Sequence, residues 1–199
     1  MNNKTKELLD VNLKEKVKDL ELTYMKSSIL IACGLPKVVS TQSTLIRAGY
    51  IFENAFNKIL EGCDGVKNIN TRNKTTKKGT KQVDIMFSYK NEIYYYESKL
   101  NLLLDSEKKK MSKSKIFKIQ RELEQLYPEQ KVNVGYLCPV DRTATNRMRY
   151  DHPGIVIHGV EDLINVIGQD NFPFTANEYF DYLLNEIQPV LLEKGFNQI

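Results

Sequence analysis

The chain has 199 residues, 41% hydrophobic and 27% charged, with a formal net charge of +4, three cysteines and two histidines. That length supports one domain with a substantial core, and the composition is that of an ordinary globular protein. The longest uncharged apolar stretch, Ser27 to Pro36, falls far short of the ~20 residues that span a bilayer, and the first residues lack the apolar core of a signal peptide. Cys33, Cys63 and Cys138 are odd in number and far apart, with only His152 and His158 beside them. A structural zinc site is therefore not expected. Reduced thiols in a cytoplasmic protein are, with no membrane and no organic cofactor.

Taken in order, Lys4 to about Gly34 reads as helical, with Leu9, Leu13, Val17, Leu20 and Tyr24 at helical spacing. Gly34-Leu-Pro36 ends it. Ser40 or Thr41 caps a second helix, in which Leu45, Tyr50, Phe52, Phe56, Ile59 and Leu60 form the apolar side and Gly62 and Gly65 the stop. A strand is expected near Val66 to Thr71, then a lysine-rich loop through Lys78-Gly79, then two strands within "QVDIMFSYKNEIYYYESKL" (Gln82 to Leu100). A helix from about Ser106 to Tyr127 follows, with Asp105 as its N-cap and Pro128 beyond its end. "KVNVGYLCPV" and "GIVIHG" are buried-type strands separated by the polar "DRTATNRMRYDHP", and "VEDLINVIG" and "ANEYFDYLLNEIQPVLLEKG" are closing helices. The order α, α, β, β, β, α, β, β, α, α describes an α/β protein, a central mixed β-sheet flanked by helices. It is expected to be one domain: a helical segment 1–48, a core of about 49–140, and a segment with the closing helices at 141–199.

The charge is unevenly spread. Lys67 to Gln82 holds six basic residues and no acid, Lys108 to Arg121 holds seven and no acid, while Val160 to Ile199 has seven acids against Lys194 alone. Either basic run by itself reads first as a solvated face. The two together, on both sides of the 82–100 hairpin, point to a polyanion.

That hairpin carries Asp84, Glu97 and Lys99 among apolar and aromatic residues, although strands usually avoid acids. With Lys90-Asn91 as a two-residue turn, Tyr89 faces Glu92 and Asp84 faces Glu97. Alternation then puts Asp84, Glu97 and Lys99 on one face and Val83, Ile85, Phe87, Tyr94 and Tyr96 on the other. Facing like charges are destabilising unless a cation sits between them or one acid is protonated. Two carboxylates suit a hard divalent ion such as Mg²⁺, and with a lysine in reach they form a set for phosphodiester hydrolysis. An exposed face with a simple salt bridge is the plain alternative. The pattern [DE]xK also occurs at Glu107-Lys-Lys109 and Glu129-Gln-Lys131, so the strand context carries the inference.

These residues resemble the PD-(D/E)xK nuclease superfamily, and within it the small type II restriction endonucleases. An acid on one strand and (D/E)xK on the next form that superfamily's metal site. Asp84, Glu97 and Lys99 take those positions, with Val83 where Pro is frequent. The resemblance, over roughly Gly49 to Val140, implies a restriction-endonuclease-like core and Mg²⁺-dependent, sequence-specific cleavage of double-stranded DNA, leaving 5′-phosphate and 3′-hydroxyl ends. It implies metal binding by Asp84 and Glu97 with the Ser98 main-chain carbonyl, a water oriented by Lys99, and a further acid on the upstream helix, for which Glu53 in "AGYIFENAFNKIL" is the candidate. Asn101, Asp105 and Lys108 in "LNLLLDSEKKK" are expected along the DNA path. Lys74, Lys77, Lys78, Lys108, Lys113 and Lys115 suit phosphate contacts. Arg142, Asn146, Arg147 and Arg149 suit base edges in the major groove or, equally, phosphate contact. Cutting both strands of a palindrome calls for a two-fold homodimer. Two alternatives are a structure- or damage-directed nuclease of the same superfamily (a resolvase, repair or phage nuclease) and a non-catalytic nucleic-acid-binding protein.

Overall fold

A computed structural model describes residues 1–19, 42–69, 84–100, 102, 106–144, 152 and 154–193. Helix α1 (Asn3–Leu9) is capped by Asn2, whose side chain accepts from the Thr5 N–H at 2.8 Å. It runs through a π turn at Asp10–Lys14 into α2 (Glu15–Lys18). Leu9, Leu13 and Val17, four residues apart, all point inward. The remainder of the helix expected to Gly34, the Ser40/Thr41 cap and the lysine-rich loop lie outside the described residues.

Helix α3 (Gln42–Glu61) buries Ala48, Phe52, Ala55, Phe56, Ile59 and Leu60. Tyr50, expected on that apolar side, is instead 53% exposed. It lies two residues from Phe52, about 200° around the helix, so both cannot face the core. After β1 (Lys67–Asn68), β2 (Ile85–Tyr89) and β3 (Glu92–Ser98) pair antiparallel, with Tyr89 opposite Glu92 and Ile85 opposite Tyr96. Lys90 and Asn91 have φ of 47° and 62°, the left-handed pair that a type I′ hairpin turn demands.

Helix α4 (Ser106–Leu126) crosses over to β4 (Lys131–Leu137), which lies parallel to β3, and β5 (Val156–His158) lies parallel to β4. Among the described residues the sheet is a five-stranded mixed one in the order β1-β2-β3-β4-β5. Gly135 lets β5 approach, since a Cβ there would stand 2.3 Å from the Val156 carbonyl oxygen. Then come α5 (Val160–Ile167), a 3₁₀ turn (Gln169–Asn171), α6 (Ala176–Tyr182), a π turn (Leu183–Ile187) and α7 (Gln188–Glu193). Pro189 has no N–H to offer the Asn185 carbonyl, and the helix accommodates this in the π turn just before it.

Strand alternation separates two cores. Ile85, Phe87 and Tyr96 pack against α1, α3 and the C-terminal helices. Met86, Ile93, Tyr95 and Tyr136 pack against Ile116 and Leu123 of α4. The result is an α/β fold with helices on both faces of a mixed sheet, consistent with the restriction-endonuclease-like core expected.

Candidate active site

Asp84 stands one residue before β2, and extending the Ile85–Tyr96 register by one sets it against Glu97. Its carboxylate substitutes for a ladder partner at the strand end, with Oδ2 accepting the Ser98 N–H at 3.0 Å. Glu97 lies on the α4 side of the sheet, two residues from Tyr95, whose hydroxyl donates to Glu97 Oε2 at 2.8 Å. Lys99 Nζ donates to Glu97 Oε1 at 2.8 Å. The two acids and the lysine thus converge in the register that the sequence implies.

Lys115 of α4 completes the cluster. Its Nζ lies 3.2 Å from Asp84 Oδ1 and also pairs with Glu97 Oε2. Its place in the basic run suits a DNA phosphate, and in the structure its ammonium bridges the two acids. Ser112 and Ile116, on either side of it along the helix, are buried, which turns this part of α4 toward the sheet. Lys108 stands two turns earlier on the same side as Lys115 and is exposed.

Glu53 reaches the neighbourhood from α3 and is 6% exposed. Asn57, one turn on, donates its amide to the Asp84 carbonyl at 2.8 Å and to the Glu53 carbonyl at 3.0 Å. The bond to Asp84 ties the helix to the first residue of the site, and the bond to Glu53, within the helix, holds the amide in place. No composition or spacing rule singles out Asn57 or Lys115, because each acts through a contact made only when separate elements pack, whereas Tyr95 reaches Glu97 within β3 itself.

The electrostatics follow from burial and crowding. Burial, then the nearby Asp84 and Glu97 charges, push the Glu53 carboxyl up to about 7 against the opposing pull of Lys115 and Lys99. Burial and the Glu97 charge raise Asp84 to about 6. Burial would raise Glu97 as well, but Lys99 and Lys115 overcome it and hold the carboxyl below its usual range. The two acids therefore divide their roles, Glu97 ionised and Asp84 the one that more readily takes a proton.

Among the described residues, no three acid, histidine or cysteine side chains gather closely enough to hold an ion by themselves. A pair of carboxylates nonetheless suits Mg²⁺, which is commonly held by one or two carboxylates, water and substrate phosphate. The ammonium between Asp84 and Glu97 shows that the gap accepts a cation.

Residues 41–192 match the family model described as "Type II restriction endonuclease, HinfI". The chain belongs to that family. No curated protein and no solved structure matches it significantly. Family membership implies DNA as the partner.

The other candidate residues of this HinfI-family chain are placed unevenly. Lys113 lies with its Nζ 5.7 Å from the Phe117 ring centre. The Arg142 guanidinium sits over Phe180 of α6, 5.2 Å from the ring centre, with Nη1 3.7 Å from Glu161. Asp162 accepts the backbone N–H groups of Ala144 and Gly159, which anchors the start of the polar segment to α5. Ser98 presents its N–H to Asp84. Val83, Lys74, Lys77, Lys78, Asn101, Asp105, Asn146, Arg147 and Arg149 lie outside the described residues. A separate cleft of about 480 Å³, lined by Glu92, Tyr94, Asn133 and His158 among others, shares no residue with the acid cluster. No helix among the described residues is long and apolar enough to cross a membrane.

Proposed function

We propose that this protein is a sequence-specific endonuclease of double-stranded DNA that works with Mg²⁺. The observation that carries the reading is the convergence of Asp84, Glu97 and Lys99 at the end of one hairpin, in a chain of the HinfI family. Asp84, Glu97 and the Ser98 carbonyl would hold a divalent ion, which when bound would supply a lowered pKa for water and positive charge beside the phosphate. Lys99, steered by Glu97, orients the attacking water and steadies the same developing charge. Glu53, protonated or ionised near neutral pH, supports the pair from α3. Water attacks phosphorus, the P–O3′ bond breaks, and the products are a 5′-phosphate and a 3′-hydroxyl.

Lys108 and Lys113 of α4 and Lys74, Lys77 and Lys78 are assigned to backbone phosphates, which fix position without reading sequence. Asn101 is assigned to the DNA path. Arg142, Asn146, Arg147 and Arg149 are the candidates for base edges. Arg142 reaches a base only by leaving Phe180 and Glu161. One such site cuts one strand, so cutting both strands of a duplex calls for a two-fold homodimer.

The test is incubation of purified protein with linear duplex DNA of known sequence, in Mg²⁺ and in EDTA, beside Lys99→Ala. Discrete fragments in Mg²⁺ that vanish in EDTA and fall at least ~100-fold in the variant are expected. A smear, or nicking alone, would point to a nuclease directed by DNA shape or damage. Binding without cleavage in every sample would refute the enzymatic reading for unmodified DNA.

A further inference from the structure

Every oxygen of the acid pair has a donor within the chain. Asp84 Oδ2 takes the Ser98 N–H and Oδ1 takes Lys115, while Glu97 Oε1 takes Lys99 and Oε2 takes Tyr95 and Lys115. The Ser98 N–H belongs to the strand backbone and Tyr95 is fully buried, so neither donor can leave without disturbing the sheet or its core. The two ammonium groups ride on flexible stems, and their side chains are 27% and 26% exposed. Of the two, only Lys115 touches both acids. Its Nζ occupies the position that a cation shared by Asp84 and Glu97 must take, and two like charges one strand apart are tolerated because it is there.

We infer that Lys115 is an internal counter-ion of the site: its ammonium closes the Asp84–Glu97 pair to a divalent ion until a nucleic-acid phosphate offers it another acceptor. The inference rests on the reading of Asp84 and Glu97 as the ion-binding pair. A divalent ion entering the DNA-free chain has to displace a charge-assisted contact to each acid, and a displaced ammonium without a new partner loses both. DNA changes that balance, because a phosphate oxygen replaces the carboxylates as acceptor at little net loss. Lys108, exposed two turns earlier on the same side of α4, puts a second positive charge on the approach. Ion and DNA then favour one another, and by linkage each raises the other's affinity by the same factor. In the absence of DNA the acids stay paired, the site holds its shape and the chain is a poor scavenger of divalent ions.

The experiment counts free Mn²⁺ by electron paramagnetic resonance during titration of the full chain, without DNA, for wild type, Lys115→Met, Lys115→Arg and each combined with Asp84→Asn. Lys115→Met is expected to bind Mn²⁺ at least about tenfold tighter than wild type, tenfold being the scale of one of the two charge-assisted contacts that the ion no longer has to displace. Lys115→Arg, which keeps the charge, is expected to stay near wild type, and Asp84→Asn is expected to abolish the gain. Adding a mixed-sequence duplex, with the duplex alone as control, is expected to narrow the gap between wild type and Lys115→Met. Should Lys115→Met not fold, Lys115→Gln takes its place.

Equal or weaker Mn²⁺ binding in the neutral variant, still abolished by Asp84→Asn, would overturn the counter-ion role and leave the acid pair as the ion site. A gap unchanged by duplex would overturn the transfer to phosphate. Tight binding that survives Asp84→Asn would place the ion elsewhere and overturn both this inference and the site reading beneath it.

Discussion

Replacing Glu53 by glutamine keeps the shape of the side chain and removes its charge, and the site's electrostatics predict a more heat-stable metal-free protein above neutral pH. Glu53 is 6% exposed, and its carboxyl is raised from 4.5 to about 7 by burial and by the Asp84 and Glu97 charges. A raised carboxyl contributes stability in full below its unfolded value and loses it as pH rises through the folded one. For Glu53 that window runs from 4.5 to about 7. Above it the folded chain holds a carboxylate in a place that resists charge, at a cost of about 3 kcal/mol at 1.36 kcal/mol per tenfold. A domain of this size gains roughly 2–4 °C for each kcal/mol, so Glu53→Gln should melt about 5 °C or more above wild type at pH 8. The two curves should meet near pH 4, where both side chains are neutral. Asp84, raised to about 6, adds a slope of the same sign to both proteins and cancels in the comparison. Circular-dichroism melts in EDTA across pH 4 to 8 measure this directly. A variant that melts at or below wild type at pH 8 would show that the Glu53 carboxylate is not resisted by its surroundings, and the case for a third acid at the site would fall with it.

Two further substitutions test how the site is held. Tyr95→Phe deletes the hydroxyl that donates to Glu97 Oε2 from a fully buried ring. It should cost about 1.5–3 kcal/mol in urea unfolding, the range for a hydrogen bond to a charged group, and an unshifted midpoint would show that the bond contributes nothing. Gly135→Ala sets a methyl group 2.3 Å from the Val156 carbonyl oxygen, so β5 has to move. A loss of about 1–3 kcal/mol is expected, with faster amide exchange along β5. Unchanged exchange there would mean that the strand pairing is not limited by this contact.

The hairpin was legible from sequence because its constraints are local. Lys90-Asn91 sets the register, alternation sets the faces, and Asp84, Glu97 and Lys99 follow with no knowledge of the rest of the chain. The helices α3 and α4 were legible from equally local signals, Phe52, Phe56 and Ile59 at helical spacing in one and the Asp105 cap and Pro128 stop in the other. Tyr50 shows the limit of that reading, since hydrophobicity alone put it on a face that the helix turn denies it. The parallel placement of β4 beside β3 is likewise invisible in either strand and comes from the crossover helix between them.

Sequence by itself determined the class of the fold and the residue set proposed for its chemistry: a mixed sheet between helices, and two acids and a lysine brought together by the hairpin register and the period of two along a strand. Tertiary structure alone decided what stands between those acids. Lys115 is one of seven basic residues in its run, and nothing in the run distinguishes it from Lys108, Lys113 or Lys118. Only the packing of α4 on the sheet turns its ammonium onto Asp84 and Glu97. Only the docking of α3 brings Glu53 close and anchors it through Asn57 to the Asp84 carbonyl. The reason is one of range: register and helical phase act over a few residues, whereas Lys115 and Glu53, each 31 residues from Asp84 in the chain, reach it only through packing.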